Sequence, residues 1–106
     1  MVAKNIRPEI IKIAEDYVSL VKNKVKVDRV YLYGSHAKGY STEDSDIDIA
    51  VVAEDFSSDL VDDTLKLMKI RRLLDSRIEP RPFSKKDFNE ANPFAKEIIN
   101  TGIRIY

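Results

Sequence analysis

The sequence predicts an α/β (α+β) fold, a small mixed β-sheet flanked by helices. Two observations predict it. Apolar residues recur at helical spacing over residues 8–25 and a run rich in apolar positions follows N-cap candidates over 60–74, and between and after those stretches lie short runs of strand-forming residues. The resulting order is helix, strand, polar turn, strand, helix, strand, helix, which builds layers around one sheet.

The first helix spans residues 8–25. Pro8 suits a first helical turn, and Ile10, Ala14, Tyr17, Val18 and Val21 fall on one face. Residues 27–33, VDRVYLY, are rich in β-branched and aromatic types and read as a strand. Gly34 and Ser35 interrupt it, and residues 35–45 form a polar turn region. Residues 46–53, DIDIAVVA, read as a second strand, central because its far half is apolar on both faces. Ser57, Ser58 and Asp59 offer N-caps to a helix over 60–74, whose apolar positions include Leu60, Val61, Leu65, Leu67, Met68 and Leu74. Residues 77–81, RIEPR, form a short third strand. Pro80 lacks a ladder donor, which puts that strand at an edge or at its end. Asn92 and Pro93 start a last helix, ending before Gly102, and the tail GIRIY adds a final extended piece.

The whole chain, 1–106, reads as one domain, because 106 residues are too few for two. No cysteine is present, which excludes disulfides, thiolate metal sites and cysteine nucleophiles. His36 stands alone, which excludes a site of several histidines. Eighteen basic and eighteen acidic residues cancel, which disfavours a uniformly basic nucleic-acid binder. No apolar run approaches the roughly 20 residues of a membrane span, and the opening MVAKNIRPEI lacks a signal-peptide core, so a cytoplasmic location is expected.

The chemistry concentrates in YGSHAKGYSTEDSDIDIAVV, Tyr33 to Val52. Asp46 and Asp48 lie two apart on a predicted strand, so both carboxylates point to one face while Ile47 and Ile49 point into a core. Two carboxylates on one face repel unless a cation sits between them, and Mg²⁺ takes such hard oxygen ligands together with substrate phosphates. Gly34 and Ser35 follow a strand and precede a possible short helix, where the backbone can be approached by phosphate and the serine hydroxyl can assist. The return of the chain brings this cradle beside the carboxylate pair. A triphosphate with Mg²⁺ suits both halves.

Gly34-Ser35 followed by Asp46-Ile47-Asp48, with Ala37, Gly39 and the run Ser45 to Ile49, resembles the signature of the nucleotidyltransferases related to DNA polymerase β. It is closest to their minimal, single-domain branch, the MNT-type proteins paired with HEPN-domain proteins in toxin–antitoxin modules. The resemblance is strongest over residues 30–53 and implies a polymerase β palm-like fold. It also implies a reaction: an NTP, here ATP, held by two Mg²⁺ ions, gives its nucleoside monophosphate to an acceptor hydroxyl. In the MNT antitoxins that hydroxyl is a tyrosine of the HEPN partner. Asp46 and Asp48 would be the metal ligands, and Gly34 and Ser35 would hold the outgoing phosphates. The family's third carboxylate would be Glu79, a departure from the commoner aspartate, with Asp75 as runner-up.

Other residues carry two readings each. His36 could touch a phosphate or be a solvent-exposed loop residue, and Lys38 could bind phosphate or be solvated. Arg77 and Arg81 could steer a triphosphate or pair with nearby acids. Arg71 and Arg72 suit the end of a helix dipole. Tyr31 and Tyr33 could stack on a base but fit a core, and Phe83 and Phe88 read as anchors for the loop between them. Three functions compete: transfer to a protein, a contact-only antitoxin with a degenerate site, and transfer to a small molecule or RNA. So little chain lies outside the core elements that an acceptor site completed by another protein or a second copy is expected, making a homo- or hetero-oligomer.

Overall fold

The structure, a computed structural model, describes residues 6–57 and 59–106. It contains α1 (Pro8–Val21), β1 (Val27–Tyr33), α2 (Ser35–Lys38), β2 (Ile47–Ala53), α3 (Leu60–Arg71), β3 (Ile78–Ser84), α4 (Pro93–Thr101) and β4 (Ile103–Arg104). The strands form one sheet in the order β3-β2-β1-β4. β1 runs antiparallel to β2 and β4, and β2 runs parallel to β3. The predicted mixed sheet with flanking helices is what the chain forms, and β2 is interior as its apolar run requires.

The two faces of the sheet bury different things. On one face α1 and α3 cover a core built on Ile10, Tyr17, Leu32, Ile47, Ile49 and Leu67. The predicted stripe of α1, Ile10 to Val21, is the buried one. Tyr17 reaches from α1 to α3, donating a hydrogen bond to the Leu67 carbonyl at 2.7 Å in a buried setting. On the other face α4 and the loop before it cover a smaller cluster of Tyr31, Ala50, Val52, Phe83, Phe88 and Ile98. That second cover stops short of the N-terminal end of β2.

Several boundaries differ from expectation for local reasons. α1 ends at Val21 rather than residue 25, because a turn over 22–24 brings Val25 back into the core, its N–H bonded to the Val21 carbonyl. Asp59 is the N-cap of α3, accepting from Asp62 N at 3.1 Å; Ser58 lies outside the described residues. α3 ends at Arg71, and Leu67 is the one buried residue among its expected apolar positions. Asp63 and Ile70 share its inward face, Asp63 accepting from the Ser57 N–H and hydroxyl at 3.2 Å each. β3 runs past Pro80 and Pro82 to Ser84, beyond the expected residue 81, and keeps regular register with β2 throughout. It lies at the sheet edge, as Pro80 demands.

Asn92 caps α4 by accepting from the N–H groups of Phe94 and Ala95. At its other end Gly102 lets the chain turn into β4; a Cβ there would stand 3.0 Å from the Leu32 carbonyl oxygen. Among the described residues no helix is long and apolar enough to cross a membrane.

The Tyr17–Leu67 bond joins two helices through one buried hydroxyl. Tyr17→Phe is expected to lower unfolding free energy by about 1–2 kcal/mol, read as a reduced urea midpoint at unchanged m-value.

Candidate active site

Three strands bring the candidate residues together. Asp48 on β2 is the register partner of Tyr33 on β1 and of Glu79 on β3. Register partners project to the same face, so Tyr33, Asp48 and Glu79 form a row across the sheet. The row sits on the face that α4 covers only in part. One residue beyond the strand, Asp46 is exposed; β2 begins at Ile47, not at 46. Burial, then the charge of Asp46, then that of Glu79 push the Asp48 carboxyl up to about 6. Asp48 therefore feels both of the other carboxylates. Burial and the Asp48 charge likewise push the Tyr33 phenol up to about 12.

Gly34 explains how the turn reaches this row. Its φ of +78° lies in the left-handed region that favours glycine. A Cβ built there would collide with Asp48 Oδ2 and stand 3.1 Å from its Cγ. The glycine is thus required twice, by conformation and by the carboxylate beside it. Ser35 follows as the first residue of α2.

The donor set fits a hard divalent cation. It is all carboxylate oxygen, and neither Asp46 nor Asp48 is ion-paired with a described Lys or Arg, so its charge is open to a metal. Among the described residues no three acidic or histidine side chains form a ready-made metal cluster.

The remaining candidates separate cleanly. Glu79 pairs with Arg71 at 3.3 Å, and Arg71 also donates to the Ile78 carbonyl at 2.8 Å. Arg71 therefore ties the end of α3 to the start of β3, beyond its suitability for the helix dipole. Asp75 is held below the usual carboxylate range by the Arg77 side chain, which binds it through two nitrogens and donates to the Glu43 carbonyl at 3.0 Å. That cluster is a clamp on the 40–45 loop. His36 is not an exposed loop residue: it is 1% exposed, and its Nε2 lies 3.4 Å from the Ser45 carbonyl. Burial lowers its pKa, and the ring pins the two ends of the polar loop together. Lys38 pairs with Glu97 of α4 at 3.0 Å. Phe83 and Phe88 pack with ring centroids 5.0 Å apart and anchor their loop as expected.

Arg81 is the cation nearest the row along its own strand. It is the register partner of Ala50 and shares the face of Glu79, two residues away. Its guanidinium lies 5.4 Å from the Phe83 ring centre and 5.1 Å from that of Phe94, and its buried Nε has no hydrogen-bond partner. A cavity of about 810 Å³ opens from Arg81 along the second half of β3 and is bordered by Lys85, Lys86 and Asp63, but not by the carboxylate row. The contribution of Tyr33 and the placement of Phe94 beside it, 5.7 Å between ring centres, depend on strand register and on α4. The alternation of Tyr31 and Tyr33 is the sequence signal on β1 for that face.

Known proteins are similar to this chain in sequence and in fold. Residues 15–106 match the family described as Polymerase beta, Nucleotidyltransferase. A Methanocaldococcus jannaschii protein provisionally named protein adenylyltransferase MJ1379 is 32% identical over 92 residues, 86% of this chain and 88% of its own length. A second from the same organism, provisionally named protein adenylyltransferase MJ0604, is 30% identical over 100 residues, 90% of this chain and 96% of its own. Among solved structures, a Sulfolobus solfataricus protein described as a nucleotidyltransferase superposes with TM-score 0.66 at 21% identity, over 91% of this chain and 78% of that one. A toxin–antitoxin complex with AMP-PNP gives 0.63 at 24%, over 87% and 72%. A mutant of the MntA–HpeT toxin–antitoxin gives 0.60 at 25%, over 86% and 69%.

The raised Asp48 carboxyl has a definite sign. The folded state holds this proton more tightly than the unfolded chain, so its stabilisation is full below about pH 4 and is lost as pH rises through 6. Asp48→Asn should therefore melt a few degrees above the parent at pH 8, with the gain gone at pH 4. Thermal melts at the two pH values read this directly; an equal gain at both would remove burial and crowding of the Asp48 charge as the cause.

Proposed function

The chain belongs to the polymerase β nucleotidyltransferase family, and on that premise we propose that it moves AMP from ATP to a hydroxyl of a partner protein. The acceptor is a tyrosine of a HEPN-type toxin, and the chain acts as its antitoxin. The observation that carries this reading is the carboxylate of Asp48 lying in one row with Glu79 and against the backbone of Gly34. Relatives provisionally named for protein adenylylation support a protein acceptor. Neighbours solved as toxin–antitoxin assemblies support a toxin in that place, and AMP-PNP in one of them supports an adenine nucleotide as donor.

The roles follow from position. Asp46 and Asp48 would hold Mg²⁺, with Glu79 as a further ligand. Bound there, Mg²⁺ offsets the charge of the triphosphate and of the carboxylates. Gly34 leaves its backbone open to the outgoing phosphates, and Ser35 offers them its hydroxyl. Glu79 stands on β3, two strands away from the turn that follows β1. An in-line displacement has its nucleophile opposite its leaving group, so Glu79 is on the side of the acceptor. It takes the proton of the attacking hydroxyl as the new bond to the α-phosphorus forms and the bond to pyrophosphate breaks. Arg71 keeps the Glu79 carboxylate oriented from the side.

A label-transfer assay tests the proposal. Purified protein with Mg²⁺, ATP labelled at the α-phosphate and lysate from its own source should yield a discrete labelled protein. The band should be absent with γ-labelled ATP, with EDTA, and with Asp46→Asn/Asp48→Asn. Transfer by the double variant would overturn the metal-ligand assignment, and label in RNA or a small molecule would overturn the protein acceptor.

Glu79→Gln should lower transfer by about 10²-fold or more while ATP-analogue binding persists. Asp75→Asn should alter transfer little. The reverse pattern would move the third carboxylate to Asp75.

A further inference from the structure

α3 is apolar on two opposite sides, and only one of them is covered. Its inward side carries Asp63, Leu67 and Ile70, all buried. At 3.6 residues per turn, Val61, Leu65 and Met68 lie diametrically opposite that side. Val61 is 68% exposed and Leu65 55%. Leu73, just past the helix, adds a further exposed leucine at 74%. Val61 and Leu65 are largely exposed and Met68 beside them is half-buried, so the three form one contiguous apolar stripe on the solvent side of the helix, the kind of patch that marks an interface.

The pattern along this face is self-complementary. Leu65 is at its centre. Val61 and Met68 lie nearly equal distances before and after it, and so do Asp62 and Lys69. We propose that α3 is a homodimer contact, in which two copies cross antiparallel about a two-fold axis at Leu65. In an isologous contact each residue meets its counterpart in reverse order. Leu65 then packs near Leu65 of the partner subunit, Val61 against Met68 of the partner subunit, and Asp62 beside Lys69 of the partner subunit. The last pairing occurs twice. An antiparallel arrangement sets equal flanks of the two helices side by side, and Asp62 and Lys69 share one flank. Neither forms an ion pair within the described chain. Acid at the start and base at the end also suits the helix dipole; the apolar stripe has no such explanation.

The contact would leave the chemistry free. α3 packs on the face of the sheet that carries Ile47 and Ile49, whereas the carboxylate row is on the other face. Two joined copies thus keep both rows open to an acceptor. The stripe is only about two turns long, less than the roughly 800 Å² per partner of a standard interface, so a weak, concentration-dependent dimer is expected.

Sedimentation of the full chain over roughly 5 to 500 μM tests this, a range that spans a weak interface. The parent should shift from the chain mass toward twice that mass, and Leu65→Glu should remain monomeric throughout. Asp62→Lys and Lys69→Asp should each weaken the dimer by about threefold or more, and the double reversal Asp62→Lys/Lys69→Asp should restore it. ATP-analogue binding, measured alongside, should be unchanged in every variant. A parent that stays monomeric, a dimer that survives Leu65→Glu, or a double reversal no tighter than the single ones each overturns the proposal. So does a face covered only when a different protein is added.

Discussion

The backbone of Gly34 and the carboxylate of Asp48 occupy adjoining space that one methyl group would fill. Much of the active end of the molecule is arranged around that crowding. The chain must leave β1 through a left-handed residue, and it enters α2 at once. The loop after α2 is held at both ends, by His36 against the Ser45 carbonyl and by Arg77 against the Glu43 carbonyl. Asp48, partly desolvated and facing two further acids, is left with unbalanced charge in a place where a cation and a phosphate can both approach.

The two faces of the sheet divide the work. One is sealed by α1 and α3 and supplies the cohesion, with Tyr17 bridging the two helices. The other is sealed only toward the far end, by α4 and the Phe83–Phe88 anchor. Because strand side chains alternate, every step along β2 contributes to both: Ile47, Ile49 and Val51 to the sealed core, Asp48 and Ala50 to the open face. A seven-residue strand thus carries core and chemistry together, which is how so short a chain accommodates a site at all. Removing bulk from the sealed face would loosen the same backbone that aligns Tyr33, Asp48 and Glu79.

How much of this was legible in the sequence depended on whether the signal was local. The stripe of α1, the β-branched runs of β1 and β2, and the Asn92–Pro93 start of α4 are local patterns, and the chain follows them. Gly34, Ser35, Asp46 and Asp48 were legible as a motif because turn and strand are adjacent in sequence. Asp46 was misplaced by one residue, since strand ends depend on neighbours that the motif does not contain. The exposed reading of His36 fails because its burial is created by a loop closing on itself through Ser45. The apolar count in α3 misled for the opposite reason. Leu60, Val61 and Leu65 are apolar but outward, and the acidic Asp63 points in because Ser57 satisfies its oxygen. Arg81 and Tyr33 could not be ranked from sequence, since register across β1, β2 and β3 decides their neighbours.

Glu79 shows why such register matters for chemistry. A glutamate beside a proline looks a poor choice for the metal ligand proposed above, which must be held still. In the structure Pro80 and Pro82 alternate with Glu79, Arg81 and Phe83 along an edge strand that pairs with β2 without a bulge. In a parallel pair the N–H and C=O of a residue point to the same side, and alternate residues point to opposite sides. Two prolines with no donor are tolerated on the side facing away from β2, which leaves residues 79, 81 and 83 to carry the ladder. The prolines also remove two donors from the exposed edge, where another strand would add. The Glu79 backbone is therefore held by β2, and its longer side chain is steadied by Arg71 at 3.3 Å. A shorter aspartate would sit nearer its own backbone and farther from that arginine. In this chain the length of the glutamate and the guanidinium at the end of α3 work together, and the third carboxylate is oriented by the same helix whose inner face completes the core.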